Sequence, residues 1–164
     1  MKLRLAILWL VAIGSLLFVT YAIYGKETLI SRGEPIFLEL APVDPRSLIQ
    51  GDYMALDYRI AADLNGDELP PRGKLVITRA ENGIVSFVRI DDGTPLTADE
   101  RLLNYYKHDW RVDLGAPSFF FQEGTADTYV TAKYGELRVD PSGTSILVGL
   151  RDAELQPLAP PSSE

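Results

Sequence analysis

Residues 5–23 carry no charge, and no later stretch of the chain is apolar for as long. About 20 apolar residues suffice to carry a helix across a bilayer core. Leu, Val, Ile, Ala and Phe occupy every face of this one, whereas a helix on a soluble core needs only one apolar stripe. Downstream the hydrophobic pattern changes to a period of two. Ile36, Leu38 and Leu40 alternate with Phe37 and Glu39 before Pro42, which predicts a strand over 34–41. Met54, Leu56, Tyr58 and Ile60 alternate with Ala55, Asp57 and Arg59, which predicts a strand over 53–60 with the first set buried. Residues 74–80 and 84–90 flank Glu81-Asn82-Gly83, the strongest hairpin signal in the chain. Residues 136–140 and 145–150 flank Pro141-Ser142-Gly143 and predict a second hairpin.

The segments between are weaker. Residues 62–73 read as a loop, broken by Asn65-Gly66 and Pro70-Pro71. Residues 97–110 carry two signals. Thr97-Ala98-Asp99-Glu100 fits a helix capping box, while the aromatics of 102–106 fit a strand, which is the preferred reading. Residues 110–114 predict a short strand and Phe119-Phe120-Phe121 a buried strand end. A helix is expected over 126–134, capped by Thr125 and stopped by Gly135. The fold class is therefore mainly β, with antiparallel sheets or hairpins and one minor helix, preceded by a single N-terminal transmembrane helix. Tight hairpins require antiparallel pairing, since parallel strands need long crossovers. The expected domains are an anchor over 1–24, a linker over 25–33, a β domain over 34–155 and a disordered Pro/Ser tail over 156–164.

Lys2 and Arg4 precede the apolar run, so the N-terminus is expected in the cytoplasm and the domain outside it. Trp9, Tyr21 and Tyr24 suit interfacial belts. A cleaved signal peptide is the rival, but Thr20-Tyr21-Ala22 is a poor cleavage site. The bilayer is thus the expected partner of residues 5–23, and the expected location is the cell (inner) membrane, single-pass, with the domain periplasmic. The formal charge is −7; setting aside Lys2 and Arg4 leaves 14 basic against 23 acidic residues. Such a surface does not suit nucleic acid. The chain has no cysteine, which excludes disulfides, thiol chemistry and cysteine-based metal sites.

The chain is organised around Gly51-Asp52-Tyr53-Met54-Ala55-Leu56-Asp57-Tyr58, a turn followed by the second strand. The octet resembles, letter for letter, the pattern that names the GDYXXLXY protein family. Ser118-Phe119-Phe120-Phe121-Gln122-Glu123-Gly124 resembles that family's aromatic–Glu–Gly segment, 134–140 resembles the strand that follows it, and 143–152 its closing hairpin. The resemblance covers about residues 30–155. It implies a membrane-anchored domain without assigned activity, and a multi-pass membrane protein as partner. It supplies no catalytic residue and no cofactor.

The residues offer few chemical constellations. A Ser–Lys dyad would need Ser47 and Lys74 to converge, and Ser47 lacks the Ser-x-x-Pro context of the signal peptidases. Asp52 and Glu123 could form a carboxylate pair, as glycosidases require; otherwise Asp52 caps its turn and Glu123 pairs with a base such as Arg138. Asp63, Asn65, Asp67 and Glu68 resemble a calcium loop only faintly, since glycine and the closing acid are misplaced. His108 is the single histidine and reads as a surface strand residue. Tyr53, Tyr58, Tyr105, Tyr106 and Phe119–Phe121 would line a groove or fill the core. The favoured function is a non-enzymatic accessory or binding domain, and the alternative is an anchored hydrolase. The expected interaction surface comprises Gly51, Asp52, Tyr53, Leu56, Tyr58, Phe121, Glu123, Gly124 and Arg138, with no metal and no cofactor. On this expectation the Gly51–Tyr58 stretch and the Phe119–Gly124 stretch lie side by side.

Overall fold

A computed structural model describes residues 2–41, 53–64, 69–108 and 111–159. A long helix, α1 (Lys2–Arg32), leads into β1 (Glu34–Glu39) through Gly33 alone. The remaining strands are β2 (Tyr53–Ala55), β3 (Arg72–Arg79), β4 (Val85–Ile90), β5 (Glu100–His108), β6 (Arg111–Leu114), β7 (Ser118–Phe120), β8 (Tyr134–Val139), β9 (Ser145–Arg151) and β10 (Pro157–Leu158). One sheet has the order β1-β8-β9-β10, a second β4-β3-β5-β6, and β2 and β7 form a two-stranded ribbon. Every named strand pairing is antiparallel. The fold is mainly β, and the one long helix among the described residues is long and apolar enough to cross a membrane.

Both sheets and the ribbon contribute to one core. Ile36 and Leu38 of β1, Leu137 and Val139 of β8, Leu75 and Ile77 of β3, Leu103 and Tyr105 of β5, and Met54 of β2 belong to a single buried cluster. Alternation decides which residues enter it. Ile36 and Leu38 of β1, and Leu40 just beyond its end, are buried, as their period predicts. The sheets also meet at an edge. The Phe37 amide donates to the Gly83 carbonyl at 2.9 Å, and Phe37 bridges Ile84 in parallel. Gly83 turns the β3–β4 hairpin with φ +85°, and a Cβ there would lie 2.9 Å from the Phe37 ring. Glycine therefore serves both the turn and the sheet contact.

Several elements differ from expectation. The helix runs on through Arg32, where a linker over 25–33 was expected. The octet strand stops at Ala55; Tyr58 makes an isolated bridge to Leu40, and a short helix, α2 (Arg59–Ala62), follows. The capping-box residues do bond each other. The Thr97 amide donates to the Glu100 carboxylate at 3.0 Å and the Glu100 amide to the Thr97 carbonyl at 3.2 Å, but what they open is β5. Pairing with β3 buries Leu103 and Tyr105 and overrides the local helix signal, so the preferred strand reading of 102–106 holds there and extends over Glu100–His108. The helix expected over 126–134 is a single 3-10 turn, Ala126–Tyr129. Tyr134 is instead taken into β8, opposite Glu39 on one side and Arg151 on the other. Pro157–Leu158, placed in a disordered tail by composition, pairs with Leu150 and Arg151 of β9.

Candidate functional site

The octet is fastened to three elements. The Leu56 amide donates to the Pro117 carbonyl at 2.9 Å, and the Leu56 carbonyl accepts from Arg111 Nη2 at 3.0 Å. The Ala41 amide reaches the Asp57 carbonyl at 2.7 Å, and Asp57 pairs with Arg111 at 2.6 Å. Met54, Leu56, Tyr58 and Ile60 are all buried, although the strand that suggested their common face is only three residues long. The Tyr58 hydroxyl donates to the Ala116 carbonyl at 3.1 Å, and burial raises its pKa well above the ordinary phenol range. Beneath its ring lies Gly135; a Cβ there would stand 3.2 Å from Tyr58 Cε1. The Gly135 of the 134–140 stretch thus answers the last tyrosine of the octet. Leu56 and Tyr58 are core residues, so neither side chain belongs to an exposed surface.

The ribbon brings the octet and the aromatic segment together. Tyr53 pairs with Phe120, Met54 with Phe119 and Ala55 with Ser118. Successive side chains of β7 alternate in direction, so Phe120 is 75% exposed while Phe119 turns inward. The expected buried triple-Phe strand end is corrected accordingly. Phe120 stands 5.7 Å from Tyr53 between ring centroids, and both rings are exposed. Phe119 meets Tyr129 edge-on at 5.1 Å, and Phe121 stacks on Tyr129 at 5.3 Å. These spacings lie within the favourable range for aromatic pairs. Beyond Phe121 the chain turns, with Gln122 carbonyl accepting from the Thr125 amide and hydroxyl at 3.1 and 2.6 Å. Gly124 holds φ +80° at the tip, and Glu123 beside it is exposed.

Glu123 has no ion-pair partner among the described residues, and Arg138 binds elsewhere. Arg138 Nη2 lies 3.4 Å from the Glu136 carboxylate, which also takes Arg151 Nη2 at 2.6 Å and Nε at 2.8 Å. The expected Glu123–Arg138 pair is therefore corrected to a Glu136 cluster on β8 and β9. Its signal was Glu136 itself, an acid inside the alternation of a strand opposite Phe37. Arg151 also covers the Phe37 ring at 5.5 Å and donates to the Leu155 carbonyl at 2.8 Å. The cluster leaves Arg138 in the β1-β8-β9-β10 sheet, its Nε buried without a hydrogen-bond partner among the described residues, and with no pairing to the ribbon.

Gly51, Asp52, Ser47, Asn65, Asp67, Glu68 and Trp110 lie outside the described residues. The Asp52–Glu123 pair, the Ser47–Lys74 dyad and the calcium loop therefore have no geometry here. His108 is exposed at the end of β5, opposite Arg111. Among the described residues, no group of three His, Asp or Glu side chains is placed to hold a metal. Tyr105, like Tyr58, is core, whereas Tyr106 is exposed.

A family model described as GDYXXLXY protein matches residues 15–150. No curated protein matches the chain, and no solved structure does. The match covers most of the sequence, and the chain belongs to the GDYXXLXY family.

Proposed function

We propose that this GDYXXLXY family member is an accessory or binding domain, held outside the cytoplasm by one membrane helix and working with an integral membrane partner. The observation that carries the reading is the junction of helix and domain. α1 ends at Arg32 and β1 begins at Glu34, so a single residue joins an apolar helix to the β core. Lys2 and Arg4 before the apolar run favour an N-terminus in the cytoplasm. The working surface is the outer side of the ribbon, Tyr53 and Phe120, with the Glu123–Gly124 turn following it in the chain. Exposed aromatics supply much of the contact energy where proteins meet.

Two outcomes are expected. A reporter that works only outside the cytoplasm, fused after Glu164, is active; activity of a cytoplasm-only reporter at that position reverses the orientation. Phe120→Ser leaves stability within about 0.5 kcal/mol, because the ring is mostly in solvent. Co-purification of the membrane protein captured by the wild-type chain in mild detergent falls with the same substitution. A variant that melts normally and still captures that protein removes the ribbon from the working surface.

A further inference from the structure

Two strand edges lack a neighbour among the described residues. Ladder bonds in an antiparallel pair recur at every second residue, and the residues between turn their amides and carbonyls the other way. On the β7 side the Pro117 carbonyl takes the Leu56 amide at 2.9 Å, and Phe119, opposite Met54, is the next bonded position. Ser118 and Phe120 therefore direct their backbone groups away from β2. At the start of β9 the Thr144 carbonyl takes the Asp140 amide at 3.0 Å, and Ile146, opposite Arg138, is the next bonded position. Ser145 and Leu147 therefore direct theirs away from β8. The ribbon ends at β7, and β10 covers β9 only at Leu150 and Arg151.

These four residues line one crevice of about 300 Å³ between the ribbon and the β1-β8-β9-β10 sheet. Phe119 and Ile146 add apolar wall, and none of the lining residues is charged, in a chain of net charge −7. Free main-chain groups on both sides select an occupant with main-chain groups to spare. An extended peptide has them on both edges, whereas a helix spends its own internally. The β9 edge already takes one antiparallel strand, β10, so its geometry suits another. The chain's own continuation suits it badly, because Pro160 and Pro161 have no amide to donate.

The geometry points to strand addition: an extended, uncharged segment of a partner protein enters this crevice, pairs with β9 along Ser145–Leu147 and with β7 along Ser118–Phe120, and joins ribbon and sheet into one. That the partner is a membrane protein rests on the proposed function, and the test separates the two. A phage-displayed library of short random peptides is selected on the full-length chain in detergent, and an enriched peptide is synthesised. It binds saturably. Amide hydrogen exchange followed by NMR then slows about tenfold or more at Ser118, Phe120, Ser145 and Leu147, and stays unchanged at Phe119 and Ile146, whose amides are already in ladders. Ser118→Pro and Ser145→Pro each delete one free amide at the first residue of a strand, where proline is tolerated. Each weakens the peptide about tenfold.

Failure to enrich any peptide, or protection without that alternation, overturns strand addition. The exchange pattern is read on the wild-type chain, so it decides the matter even if a proline variant does not fold. Self-association of the wild type that the peptide disperses gives the crevice to a second copy and overturns the partner segment. Undiminished capture of the membrane protein by a folded Ser145→Pro chain that has lost the peptide also overturns it, and leaves the proposed function standing. The alternating protection in a chain that captures no membrane protein keeps the strand site and overturns the proposed function.

Discussion

Leu56→Ala is expected to lower the stability of the domain by about 2–5 kcal/mol, with no rescue from local rearrangement. Leu56 is 2% exposed and belongs to the common core. Both of its backbone polar groups are tied, the amide to Pro117 and the carbonyl to Arg111. The backbone is therefore held while the side chain is removed, and the cavity left behind cannot collapse easily. Chemical denaturation of the detergent-solubilised chain measures the loss. A midpoint that does not move would mean that Leu56 is not packed as described. Asp57→Asn, which removes a charge from the half-exposed Arg111 pair at the very next residue, is a suitable contrast, with an effect of about 0–1 kcal/mol.

Arg151→Met is expected to cost about 3 kcal/mol or more, because it strands the Glu136 carboxylate. The Glu136 side chain is 9% exposed and takes two contacts from Arg151, at 2.6 and 2.8 Å, against one longer contact from Arg138 at 3.4 Å. Removing Arg151 also uncovers Phe37 and frees the Leu155 carbonyl. The second half of the prediction distinguishes a stranded charge from simple lost packing. Arg151→Met combined with Glu136→Leu should recover most of the loss, since a buried pair replaced by apolar side chains is often close to neutral. Additive losses in the double variant would show that the ion pair is not what matters at this position.

The parts of this fold legible in the sequence are those where one local rule dominates. Residues 5–23 are apolar on every face, and Asn82-Gly83 can do little except turn, so the long helix and the β3–β4 hairpin were both readable. The burial of Met54, Leu56 and Tyr58 was readable for a related reason. Alternation reports which way side chains face even where ladder pairing ends, as it does after Ala55. Helix signals failed at Thr97 and at Ala126 because long-range pairing decided both. Glu100 is claimed by β3 and Tyr134 by β1 and β9. The role of Gly135 was hidden for the same reason. It reads as a helix stop, yet its function is to leave room for a ring 77 positions earlier in the chain, at Tyr58. At the candidate surface, the nearness of octet and aromatic segment follows from two similar acid–glycine–aromatic stretches. The choice of Phe120 as the outward residue does not, because three consecutive phenylalanines carry no alternation.

The passage through Gly33 governs what this domain can reach. A flexible tether lets a domain sweep a volume that grows with tether length, and lets it meet partners in solution at an effective concentration set by that length. Here the Gly33 amide bonds the Leu29 carbonyl at 2.8 Å, and a side chain at Gly33 would collide with Arg138. There is no slack to sweep with. With α1 as the proposed span, a domain mounted in this way searches by lateral diffusion, within a layer as thin as itself, and encounters what shares its membrane or is brought to it. On the same proposal the stiffness works in reverse: a twist applied to the β domain by a bound partner would pass into the helix as rotation about its axis.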